Sequence, residues 1–314
     1  MTTFIIRRLL QSAIVLFLAS IVVFSFAHAA PGDPVLNILG PRPDQQAADS
    51  LREQLGLNKP LPQQYLSWAG RAVKGDLGQS LATREPVSTV LKTRVVATAQ
   101  IALGAWIISM AIGLPAGIIA ALARNRWPDY VASVVAVSGV AMPSFWFAIM
   151  LIILFGVTWR ILPTSGYISF TSDPLQSIKL SILPWVVGGF AGSAVLMRQM
   201  RSALLEVLNQ DYVRTARAKG LKQQVVIMRH ALKNALIPIV TIAGMTLGYL
   251  LGGEVIIEWV FGIPGVGRAM VEAVFKKDFP IIQGAALMIG VAVVFANLIV
   301  DIAYGWLDPR IRFT

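Results

Sequence analysis

The sequence predicts an all-α integral membrane protein with six transmembrane helices and an extracytoplasmic segment of short helices after the first span. Three observations carry this. Of the 314 residues, 56% are hydrophobic and only 14% charged, against roughly 25% charge in a soluble domain. The apolar residues fall into runs of about 20, the length that crosses the hydrocarbon core as a helix. The formal charge of +11 sits mostly between those runs, which is the pattern of membrane orientation. No nucleic-acid motif accompanies it.

The first run, Leu9 to about Ala27, follows Arg7 and Arg8. Ala27-His28-Ala29 has the small-residue spacing of a signal-peptidase site. An apolar stretch of about 18 residues is longer than the usual 7–15 of a signal peptide, so residues 1–30 are read as an uncleaved first helix. Residues 31–95 are polar, rich in Pro, and amphipathic around Ala47–Leu55 and Gln63–Val73. They are expected to form the extracytoplasmic segment, because so long a structureless loop is uncommon.

The second run is about Ala97–Ala123 and closes on Arg124-Asn125-Arg126. The third, about Val131–Val157, holds Pro143 in its interior, where a kink is expected. The fourth is about Leu180–Leu196, the fifth Leu236–Ile257 and the sixth Ile281–Tyr304. Residues 96–305 thus form a five-helix core with a cytoplasmic loop at 198–235, followed by a cytoplasmic tail, 306–314. Fourteen Lys and Arg fall on the side assigned to the cytoplasm and five in the two short outer loops. That asymmetry places both termini in the cytoplasm.

Chemistry of its own is sparse. Zero cysteines exclude disulfides, thiolate metal sites and Cys nucleophiles. His28 and His230 alone cannot build a His-rich metal site. No G-x-x-x-x-G-K-[ST] loop is present to cradle a nucleotide. Glu254, Glu258 and Asp301 lie near span ends, so no central ionisable group suggests ion coupling. Gly244, Gly248 and Gly252 recur every four residues in span five, a face that permits close helix approach. Gly188 and Gly192 make a weaker version in span four.

One polar stretch interrupts the apolar pattern, Asp211–Pro238. It reads DYVRTARAKGLKQQVVIMRHALKNALIP. Tyr212–Lys219 has helix formers and no Pro, and Gly220 falls where a left-handed helix terminus is needed. A second helical pattern follows. From Arg198 to Lys233 eight basic residues face only Glu206 and Asp211. Such a loop serves topology and contact with anionic lipid heads, or it docks another protein.

Laid on Gly220, the pattern E-A-A-x-x-x-G-x(9)-I-x-L-P places Arg214 at the Glu, Thr215 and Ala216 at the two Ala, and Leu232 at the Leu. His230 replaces the Ile and Lys233 the Pro. The wider strings Asp211–Gly220 and Arg229–Ala235 resemble the coupling loop of ABC importer permeases of the dipeptide, oligopeptide and nickel branch. Pro31-Gly32-Asp33-Pro34, Gly75–Ser80, Met142–Trp146, Leu162–Tyr167, Phe261–Gly267 and Asp308–Arg312 extend the resemblance along nearly the whole chain. All resemble the first, B-type permease of the pair in such systems.

The resemblance implies a type I ABC importer permease fold and a role as half of a pathway carrying di- or oligopeptides from the periplasm into the cytoplasm. Nickel or glutathione-like substrates are the alternatives within it. It implies a second homologous permease, two ABC ATPases that bind ATP and Mg, a periplasmic or lipid-anchored binding protein, and membrane lipids. No catalytic residue, metal or cofactor is expected in this subunit. Tyr212, Arg214, Thr215, Ala216, Lys219 and Gly220 are the expected ATPase-coupling residues. Arg214 at the Glu position leaves the sign of any charged contact open. Gly244, Gly248, Gly252 and Pro143 are expected in helix packing or along the pathway. An ion-coupled carrier is the reading from a different class.

Overall fold

The computed structural model describes residues 2–29, 34–40, 43–54, 56–252 and 254–307. Residues 31–33 of the first motif and 308–312 of the last lie outside the described residues, as does the tail beyond 307.

Helix α1 (Thr2–Ala29) is the first span. Three short helices follow, α2 (Pro34–Leu39), α3 (Gln45–Gln54) and α4 (Leu61–Val73). They fall on the amphipathic patches of the sequence. Helix α4 folds back on α1 through its apolar face, with Trp68 and Tyr65 stacked around Phe24. Ser20 and Tyr65 share a 2.8 Å hydrogen bond, and His28 bonds the Phe24 carbonyl and Gln64.

Helix α5 (Val87–Leu122) begins about ten residues before the expected span. Its first turns carry Lys92 and Arg94, which an apolar-run reading discards. The helix continues through them because Pro86 supplies the turn that starts it and Arg94 is 3.7 Å from Glu272. Helices α6 (Trp127–Ala141) and α7 (Ser144–Leu151) replace the single third span. Pro143 is the break itself, not a kink within one helix: Met142 and Pro143 are extended and the chain turns by 109°. The clash of the Pro ring with the preceding residue disfavours helical backbone there. Helix α7 runs on into a π-helical turn, Ile152–Thr158.

Helix α8 (Pro174–Leu208) extends well past its apolar run and includes Arg198 and Arg201. The loop expected from residue 198 therefore starts as helix. After α9 (Asp211–Ala218) and the single turn α10 (Gln223–Val225), a π-helical stretch, Val226–Ala231, leads without a gap into α11 (Leu232–Leu251). Helices α12 (Val255–Val260) and α13 (Val266–Lys276) precede α14 (Phe279–Leu307). Among the described residues, five helical stretches are long and apolar enough to cross a membrane, six with the bent α6–α7 pair counted as one.

The core is the α5–α8 pair. A Cβ on Gly113 would lie 2.7 Å from the Ser193 carbonyl, and one on Gly117 2.7 Å from that of Met197. Backbone meets backbone, as in helix pairs that associate by close packing where no water is expelled. The indole of Trp185 fills the space over Gly104. Gly188 and Gly192 face α5 as well, and α11 joins through the Trp106 indole N–H, which donates to the Ala243 carbonyl at 2.8 Å.

Candidate functional site

The polar stretch forms a compact helix-turn unit. Asp211 at its start and Arg217 at its end suit the dipole of α9. Val213 and Ala216 are buried and pack on Val226, Val207 and Leu208. Tyr212 lies on the other side, and its hydroxyl accepts a 2.8 Å hydrogen bond from the Asn234 amide of α11. Helix α9 is thus seated on the end of α8 and the beginning of α11 together. Gly220 closes the unit at φ +77° with nothing within 4 Å of a would-be Cβ; the backbone angle alone calls for glycine.

The expected coupling residues divide between two faces. Tyr212, Arg214, Thr215 and Lys219 are exposed, with Arg217 beside them. Arg214 makes only a solvent-exposed 3.6 Å ion pair with Asp211, a contact of little strength, so its guanidinium is available to a partner. Ala216 differs from its expected role. It is buried on the inner face of α9, where the chain's own cluster presses on it and keeps it small.

Gly244, Gly248 and Gly252 do share a face, but on a distant part of α11. A Cβ at Gly244 would sit 1.9 Å from Val300, so this glycine sets the α11–α14 approach. Gly248 and Gly252 instead border a groove of about 400 Å³ with Met245, Tyr249, Val293 and Asn297. Pro143 belongs to neither place.

Three carboxylates to which the sequence reading gave no structural role hold the helices together, one near this unit and two at the far end of the bundle. Asp129 of α6 is buried and pairs bidentately with Arg201 of α8, at 2.6 and 2.8 Å, while accepting the Asn125 amide. This clamp is two helical turns before the end of α8. Glu258 caps α13: it accepts from Thr98 at 2.6 Å and from the Arg268 amide at 2.8 Å. A Cβ on Gly265 would lie 2.0 Å from its carboxylate, which explains one glycine of the Phe261–Gly267 motif. Glu258 is outside the spanning helices. Burial pushes its carboxyl up, and the bonds from Thr98 and the Arg268 and Gly267 amides pull it back. Buried Asp278 accepts from the Ser80 hydroxyl and the Leu81 and Ala82 amides, docking the end of the Gly75–Ser80 motif beside α14.

A bundle of long apolar helices able to cross a membrane, with an exposed basic helix seated on two of them, has the architecture of an integral-membrane permease. The chain belongs to the family described as binding-protein-dependent transport system inner membrane component, whose profile matches residues 113–313; the companion N-terminal profile matches 1–102. It is 41% identical over 313 residues to the glutathione transport system permease protein GsiC of Escherichia coli O6:H1, with 100% of both chains covered. The proteins of that name in E. coli K12 and Shigella boydii are 40% identical over the same span. An inward-facing structure of the MetNI methionine ABC transporter shares the fold, at a TM-score of 0.59 and 18% identity, covering 70% of this chain and 96% of that one. The protein is an ABC importer permease of the peptide and nickel family, with the type I fold and multiple passes through the inner membrane.

Proposed function

We propose that this permease forms one half of an ATP-driven pathway that brings small peptides into the cytoplasm, with glutathione the first candidate among them. A second homologous permease completes the pathway. A periplasmic or lipid-anchored binding protein delivers substrate, and two ATPase subunits bind ATP and Mg and hydrolyse ATP, this subunit supplying no cofactor or ATPase site. The seating of α9 on both α8 and α11 supports this most directly. A push on Tyr212, Arg214, Thr215 and Lys219 reaches two spanning helices at once, so ATP-driven closure and pathway opening share one coupling energy. Full-length similarity to permeases named for glutathione supports the substrate class. Nickel is the second substrate reading, supported only at the level of the branch. The excess of Lys and Arg on the α9 side supports cytoplasmic termini. The groove beside Gly248, Gly252 and Asn297 is the candidate pathway surface.

The test is purification of the tagged chain from native membranes, reconstitution, and uptake of labelled glutathione, a dipeptide or nickel with ATP enclosed on the α9 side. Glutathione uptake that requires ATP and co-purifying ATPases supports the reading. A chain that purifies alone and transports on an ion gradient overturns it. Dipeptide or nickel uptake in place of glutathione revises the substrate alone.

A further inference from the structure

A cleft of about 300 Å³ lies between α5, α6 and α8, at the lower end of the range for ligand sites. Small side chains make it: Gly113 and Ala116 on α5, Ala132 and Ala136 on α6, with Phe190 and Met197 of α8 behind. Ser193 is the one polar lining residue, and its hydroxyl already donates to the Phe190 carbonyl at 2.7 Å. Nothing in the slot therefore asks for a polar group, and in a bilayer an alkyl chain is its natural filling.

One end of the slot is different. Trp127 and Pro128 form it, and Trp127 is 76% exposed, as an aromatic side chain at the lipid–water boundary would be. The turn just before holds Arg124 and Arg126, both exposed, on either side of Asn125 at φ +61°. The acid nearest to them along the chain, Asp129, has both oxygens committed to Arg201 and the Asn125 amide. Two arginines thus stand at the mouth of an apolar slot with the adjacent carboxylate already engaged.

We propose that this cleft binds an anionic phospholipid of the bilayer, with one acyl chain along α6 and the headgroup phosphate at Arg124 and Arg126. A zwitterionic lipid could fill the slot equally well; the arginines are what select negative charge. The bound lipid would lie against α6 beside its clamp to α8.

The purified chain, with whatever partners accompany it, is placed in nanodiscs of phosphatidylcholine doped with photoactivatable phosphatidylglycerol, and cross-links are mapped. Labelling is expected on the peptides holding Ala132, Ala136 and Phe190. Arg124→Gln with Arg126→Gln should weaken phosphatidylglycerol labelling by about 25-fold, roughly fivefold per arginine, and leave a phosphatidylcholine probe unaffected. Ala132→Phe should remove labelling by both lipids. Should that variant fail to fold, the exposed arginine pair carries the test alone. Equal labelling by both lipids in the unaltered protein overturns headgroup recognition. Cross-linking of the cleft to a neighbouring polypeptide overturns the lipid site and makes this face a protein interface.

Discussion

Glu258 shows how much one side chain organises. Its carboxylate joins α12, the start of α13 and Thr98 of α5, and it occupies the volume a Cβ at Gly265 would need. Gly265→Ala is therefore expected to displace the carboxylate and lower stability by about 3 kcal/mol, as overpacking with loss of a buried polar contact does. Thr98→Val keeps the volume and removes two buried hydrogen bonds, the one donated to Glu258 and the one accepted from the Val266 amide, at a cost of about 3 kcal/mol. Thermal unfolding in detergent measures both, and a Gly265→Ala protein as stable as the parent would show that Glu258 is not held there. The Asp129–Arg201 pair makes a different prediction. Asp129→Asn should destabilise by about 2 kcal/mol because Arg201 loses its partner in a partly buried place. Asp129→Leu combined with Arg201→Leu should recover most of that loss, since two apolar groups need no counter-charge.

Helix α9 behaves as an element because its inner face is apolar and its outer face is not. Ala216→Glu puts an unpaired carboxylate against Val213 and Val226 and is expected to unseat the helix. Thr215→Glu, one residue earlier, faces solvent and should leave the fold intact. Hydrogen exchange over residues 211–222 separates them: protection falls in the first variant and persists in the second. Gly220→Ala meets open space but an unfavourable backbone angle, with an expected loss of about 1 kcal/mol at this turn. The α9 helix and its glycine terminus were legible in the sequence, since Gly220 and the helix formers before it are local signals. The inward turn of Ala216 was not, because the residues that bury it come from α8 and the π-helical stretch. Elsewhere the apolar runs gave six spans, and hydropathy cannot distinguish one helix from two short consecutive ones, so the break at Pro143 read as a kink. The ends of α5 and α8 were also missed, because charged turns such as Lys92–Arg94 and Arg198–Arg201 continue a helix whenever ion pairs or solvent receive them.

At the scale of the whole molecule, α5 and α8 form one pillar that reaches from the Glu258 clamp to the seat of α9. Glycines at 113, 117 and 189 bring the two backbones into contact, those at 104, 188 and 192 admit Trp185, Ala105 and Ser109 of the facing helix, and Gln100 ties α5 to α8 through Ser177 and Ser181 and to the loop before α8 through the Phe170 amide. Side chains locked between two backbones leave little room for sliding, because packed interfaces switch between discrete arrangements and do not deform continuously. A push at α9 should then move the pillar as one body, with the change taken up at the α6–α7 break and along the α11–α14 groove. The absence of cysteine makes this testable without background. A Cβ at Gly188 would lie 3.1 Å from that of Ala105, a few tenths of an ångström inside the usual disulfide spacing of 3.5–4.5 Å. Oxidation of the Ala105→Cys, Gly188→Cys variant is expected to join the helices and leave ATP-driven uptake in proteoliposomes close to that of the reduced form. Uptake that stops on oxidation and returns with reductant would mean that α5 and α8 must separate during transport. The moving boundary would then run through the pillar itself, and the glycines would serve motion in place of rigidity.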